Sequence, residues 1–126
     1  MRQTSAKRRK HEALGRFSET LAAWRLRFAG YRIVAEREKT PFGEIDLIAV
    51  KRGLVAIVEV KARPDLRRCI EAVSARQRYR IEQAAGWLIA QRPALRQRQM
   101  RFDIIGVIPY RLPIHVKDAW RPGRGM

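Results

Sequence analysis

A chain of 126 residues has room for one domain around one core, and 46% hydrophobic residues are enough to fill it. Its 28 Lys and Arg against 12 Asp and Glu give a formal net charge of +16. That is more than solubility asks of so small a domain, so the first expected partner is nucleic acid, ahead of an anionic membrane surface. No apolar run reaches the ~18 residues of a membrane span. The basic start MRQTSAKRRKHEAL lacks the apolar stretch of a secretory signal, and the single Cys69 excludes an internal disulfide. A cytoplasmic protein with no membrane partner is the expectation.

Residues 1–11 carry Lys7, Arg8, Arg9 and Lys10 with no apolar period. They read as a flexible basic arm, either contacting phosphates or simply a frayed terminus. One domain is expected over 12–120, with a loose tail at 121–126. From Glu12 to Ala29 the pattern is helical: Leu14, Phe17, Leu21, Trp24 and Phe28 form one stripe. A second face holds Gly15, Ser18, Ala22 and Leu26, small enough for close approach to another backbone. Glu19 borders that small face and, on the residues alone, is an ordinary solvated helix glutamate. Gly30 caps the helix.

Strands are predicted from Tyr31 to Lys39, Glu44 to Val50 and Leu54 to Ala62, joined by Thr40–Gly43 and Lys51–Gly53 as an antiparallel meander. Pro64 stops the third strand, and Asp65–Ala72 reads as irregular. Ser74-Ala75-Arg76-Gln77 has the form of a capping box and opens a helix to Gln91. Its inward row is Gln77, Ile81, Ala84, Ala85 and Leu88, and its outer side carries Arg76, Arg78, Arg80 and Arg92. Met100–Ile108 is a fourth strand containing Asp103, and Ile114–Val116 a short fifth. This order predicts an α/β fold, a mixed central sheet with a helix on each side.

The third strand contains a conflict. Leu54, Ala56, Val58 and Val60 make one apolar face, while Val55 and Ile57 share theirs with Glu59 and Lys61. A carboxylate and an ammonium on a covered strand cost roughly several kcal/mol unless they pair or hold a metal. Asp46 falls on the neighbouring strand, so two carboxylates meet as an all-oxygen site for a hard divalent cation, Mg²⁺ or Mn²⁺. Lys61 would hold, or help to deprotonate, an attacking water. Phosphodiester hydrolysis is the chemistry this set supports. The alternative is a salt-bridged strand pair in a non-catalytic domain. Cys69 has no partners for nucleophilic catalysis. His115 reads as structural, Asp103 as a hydrogen-bond acceptor for a neighbouring Arg or backbone group, and Trp87 and Trp120 as core or interface side chains rather than base-stacking ones.

Asp46 followed by Glu59-Val60-Lys61 resembles the D…E-x-K signature of the PD-(D/E)xK nuclease superfamily. Within it, Gly15-x-x-Ser18-Glu19, Gly43-Glu44-Ile45-Asp46-Leu47-Ile48-Ala49, Val58-Glu59-Val60-Lys61, Ala72-Val73, Gln77-Arg78, Arg101-Phe102-Asp103 and His115-x-x-Asp118-Ala119-Trp120 resemble the YraN-like proteins. The chain is also similar to Holliday-junction resolvases of that fold. The resemblance implies a restriction-endonuclease-like αβββαβ core and a metal-dependent endonuclease acting on DNA, structured or branched. It implies Asp46 and Glu59 as metal ligands, the Val60 carbonyl as a third, and Lys61 as the catalytic lysine. Glu19 would stand at the edge of the metal site, with Glu44 a reserve ligand. Gln77 would point at the site, serve as the N3 partner of Ser74, or do both. Lys7, Arg8, Arg9, Lys10, Arg67, Arg68, Arg76, Arg78 and Arg80 would hold phosphates. A homodimer is expected by analogy with the resolvases. The alternatives are a non-catalytic nucleic-acid-binding module and a protein-interaction scaffold.

Overall fold

The computed structural model describes residues 5–123. Helix α1 spans Ser5–Phe28, so it starts ahead of the expected Glu12. Within the described residues the expected basic arm is therefore helical, as Ala, Lys and Arg favour helix without any apolar period. The side chains of Lys7, Arg8 and Lys10 lie outside the described residues. Gly30, at φ +92°, ends α1 in a Schellman turn: Tyr31 N–H donates to the Leu26 carbonyl and Gly30 N–H to that of Arg27.

Three strands follow as the predicted meander: β1 (Arg32–Thr40), β2 (Gly43–Lys51) and β3 (Leu54–Ala62). The chain then crosses over through α2 (Leu66–Glu71), α3 (Ala75–Gln91) and α4 (Pro93–Arg96) to β4 (Gln99–Val107) and β5 (Ile114–Trp120). The five-stranded sheet has the order β1-β2-β3-β4-β5. Only the β3–β4 pair is parallel; the other neighbours are antiparallel. The fold is thus a mixed α/β sheet with helices on both faces and an αβββαβ core order. Asp65–Ala72 is not irregular: Asp65 caps α2, its Oδ1 accepting from Arg68 N–H at 2.8 Å. The fifth strand is longer than predicted and runs on to Trp120.

The central strand β3 is covered on both sides. On one, Val55 and Ile57 pack with Ile81, Ala84, Ala85 and Leu88 of α3. On the other, Ala56 and Val58 meet Ala22, Ala23 and Leu26 of α1. Of the two apolar faces of α1, the small one therefore lies on the sheet, where Ala49 and Ala56 leave room for a close helix. Trp120 stacks on Phe102 at 5.2 Å and donates its indole N–H to Glu82, consistent with a packing role. Among the described residues no helix is long and apolar enough to cross a membrane.

Asp103 is fully buried on β4, where the β4–β5 register shifts. Burial pushes its pKa up, but bonds from His115, Arg101 and the Asp118 N–H outweigh burial and hold it below the usual carboxylate value. The Arg101 contacts are 2.7 Å each and the His115 Nε2 contact is 2.7 Å. Asp103→Ala strands these donors and is expected to cost about 3 kcal/mol. An unmoved urea midpoint in the variant would show the network contributes nothing.

Candidate metal centre

The β2–β3 ladder runs from Lys51↔Leu54 to Leu47↔Val58 and stops. Beyond it β2 stays with β1 as far as Gly43, and β3 stays with β4 as far as Ala62. The sheet forks where Asp46 and Glu59 would be the next opposed pair. Asp46 takes over from the ladder: its Oδ2 accepts the Val60 N–H at 2.8 Å. A cavity of about 580 Å³ opens at the fork, bounded by α1, β2, β3 and α3. Gly15 and Ser18 border it from α1; a Cβ at Gly15 would meet nothing within 4 Å, and Ser18 Oγ is buried without a partner.

Glu59 is only 3% exposed. One carboxylate oxygen receives the Gln77 amide at a long 3.4 Å; the other, Oε1, has no partner. Burial first, then the neighbouring Asp46, push its pKa up to about 8, against the pull of Lys61 and Arg80. Burial likewise raises Asp46, opposed by the Val60 N–H and by Lys61. Glu19 is also raised by burial, although Arg37 Nε donates to both its oxygens at 2.8 and 3.0 Å. Arg37 has φ +52° and lies opposite Asp46, between the Glu36↔Leu47 and Glu38↔Ile45 pairs. Such a backbone costs about 1 kcal/mol or more and holds that guanidinium between α1 and the fork.

An unpartnered buried carboxylate oxygen beside a second carboxylate is the donor set a hard divalent cation needs. Among the described residues no three His, Cys, Asp or Glu side chains cluster. A cation here would have two carboxylates and, at most, the Val60 carbonyl from the protein. Water and substrate oxygens would complete the shell, the usual habit of Mg²⁺.

Of the residues singled out from sequence, Glu19, Asp46, Glu59, Val60, Lys61 and Gln77 line this one cavity. Gln77 plays both parts considered for it: Ser74 Oγ accepts its backbone N–H, and its side chain reaches Glu59. Glu44 is exposed and outside the lining. Arg80 donates to the Phe42 and Glu44 carbonyls and acts on both carboxylates. Arg67 and Arg68 are elsewhere, near Glu71 and Asp65. Arg76 is exposed, and Arg78 donates to the Val73 carbonyl and lies over the Trp120 ring. Arg9 is exposed on α1. Sequence reasoning missed Arg63, which lines the cavity two positions after Lys61 on the same strand parity. It also missed Arg37, which the hairpin register would have set against Asp46.

Fold and site together define a small α/β protein whose two carboxylates and lysine converge where a central sheet forks. The chain belongs to the family described as "Uncharacterised protein family UPF0102", whose match covers residues 18–107. It is 49% identical over 106 residues to the UPF0102 protein of Chelativorans sp. (strain BNC1), covering 84% of this chain and 86% of that one. It is 47% identical over 109 residues to that of Parvibaculum lavamentivorans, covering 86% and 82%. The match to the protein of Bartonella bacilliformis is 49% over 110 residues, covering 87% and 90%.

Proposed function

We propose that this protein is a metal-dependent endonuclease that hydrolyses phosphodiester bonds of structured or branched DNA. The observation that carries the reading is the buried Glu59 carboxylate, with an unpartnered oxygen, facing Asp46 in a cavity that also holds Lys61. The αβββαβ order and the Asp46…Glu59-Val60-Lys61 spacing, resembling the PD-(D/E)xK nucleases, point the same way. So does a net charge of +16, which favours a polyanionic substrate.

Asp46, Glu59 and the Val60 carbonyl would hold Mg²⁺ or Mn²⁺, which when bound neutralises charge growing on phosphorus and acidifies water. Asp46 also keeps the fork open by occupying the Val60 N–H. Gln77 orients the Glu59 carboxylate through its amide. Lys61 holds the attacking water and guides its proton. Glu19, tied to Arg37, borders the metal site. Arg63, lining the cavity, and Arg80, beside the Phe42 and Glu44 carbonyls, hold backbone phosphates, giving affinity without base readout. Among the described residues no module reads base edges, so the substrate is selected by its shape.

The test is cleavage of labelled single-stranded, duplex, flap and four-way-junction DNA with Mg²⁺, Mn²⁺ or EDTA, beside Glu59→Ala. Cutting that needs the metal and disappears in the variant is expected, and the preferred substrate narrows the class. Tight binding with no cutting in either metal would replace this reading with a non-catalytic nucleic-acid-binding module.

A further inference from the structure

The large apolar stripe of α1 does not enter the core. Phe17 is 59% exposed, Trp24 52% and Phe28 85%, and Leu14 is also exposed; beyond them Tyr110 is 106% exposed and Leu112 nearly as free. Tyr110 and Leu112 belong to the β4–β5 loop, which α1 holds alongside itself through the bond from Arg25 Nε to the Pro113 carbonyl. Tyr110 sits at φ +63°, a strained backbone for an aromatic residue, and its ring points wholly into solvent. Between stripe and loop runs a groove of about 480 Å³, lined by Leu14, Phe17, Leu21, Pro109 and Tyr110 among others.

We propose that this face is the contact between two copies of the chain, α1 of each lying on α1 of the other. The exposed aromatics alone amount to roughly three whole side chains, or about 450–750 Å². Leu14 and Leu112 extend that toward the ~800 Å² per partner of a stable interface, beyond the ~300–600 Å² patch of an ordinary monomer. The alternating three- and four-residue spacing from Leu14 to Phe28 is the narrow seam of a helix paired with another helix. A helix lying on lipid carries a broader apolar face. A ridge beside a groove on one surface is what a two-fold contact requires, since each copy must supply both.

The groove and the metal-site cavity share Leu14, Ser18, Ala62 and Arg63. A second copy seated in the groove therefore borders the first copy's cavity. If the nuclease reading holds, a substrate would meet two sites in one complex.

Exposed Arg63 and Arg111 line the groove and exposed Arg27 lies over the Trp24 ring, so the copies repel electrostatically while the apolar centre attracts. Association should therefore tighten with salt, whereas binding of any anionic partner weakens. The test is molar mass by light scattering from low to high micromolar protein, at low and high NaCl. Twice the 14.7 kDa of one chain is expected, with more dimer at high salt. Phe17→Lys with Trp24→Lys should weaken association on the order of a hundredfold. Tyr79→Lys, at an exposed aromatic on α3, should leave it unchanged. Near-equal thermal melting at low concentration verifies that the variants fold. A monomer at every concentration overturns the proposal, and so does a dimer indifferent to the paired substitution or dissolved by salt. Monomers that float with equal-part phosphatidylglycerol–phosphatidylcholine vesicles would reassign the face to lipid.

Discussion

On the proposed nuclease function, Asp46→Asn is expected to slow DNA cleavage by about a thousandfold or more while leaving DNA affinity within severalfold. The substitution is chosen for its shape. An asparagine oxygen can still accept the Val60 N–H that Asp46 takes at 2.8 Å, so the fork should keep its geometry and lose only the charge. Glu59→Gln removes the charge of the other carboxylate in the same way. Lys61→Met removes the ammonium and keeps the stem; an arginine there would not be conservative, since its planar fork cannot replace a compact point charge. Residues acting as one unit lose little more when removed together, so Asp46→Asn with Glu59→Gln should cleave hardly more slowly than either alone. Single-turnover cleavage of the preferred substrate, beside equilibrium binding, separates the two effects. An Asp46→Asn protein that cleaves within severalfold of the wild type would remove the carboxylates from the proposed chemistry.

Most of the architecture was legible because each element carries its own signal. The turn at Lys51–Gly53 and Pro64 bounded the apolar run of Leu54–Ala62 as β3, and Ser74 with Gln77 marked the start of α3. The charged pair Glu59 and Lys61 on an otherwise apolar strand pointed to the site before any geometry. What stayed hidden depended on tertiary packing. Two apolar faces on α1 compete for the sheet, and large side chains ordinarily go inward. Here the small face wins because Ala49 and Ala56 line the opposing surface and admit a helix whose contact residues are Ala22, Ala23 and Leu26. That follows from which strand lies beneath which helix, information no local window holds. Arg37 was half legible: the hairpin register sets it against Asp46, but its reach to Glu19 depends on where α1 packs and on a positive φ. Helix α2 was missed through local chemistry that was present: Asp65 after Pro64 is an N-cap signal.

In the metal-free protein, stability should fall as pH rises through the interval between the ordinary carboxyl value of 4.5 and about 8, the value to which burial and Asp46 push Glu59. Between those values the folded chain holds a proton that the unfolded chain has released, so each rise in pH favours unfolding; above them the effect is complete. Asp46, raised by burial, adds to the same slope. Asp103 acts oppositely. Its pKa is lowered on folding, so its stabilisation is full above the ordinary 3.8 and is lost in stronger acid. Maximum stability is therefore expected in mild acid, between the two limbs. Glu59→Gln should melt with the wild type near pH 5 and outlast it near pH 9 by about 2 kcal/mol or more. Mn²⁺ or Mg²⁺ should raise wild-type melting on the alkaline side, where the carboxylates are charged, and raise that of Glu59→Gln much less. Thermal melts across pH with EDTA or metal measure all of this without any substrate. A wild type whose stability is flat from mild acid to alkali would mean Glu59 ionises freely. An alkaline slope surviving intact in Glu59→Gln would assign the strain to another group.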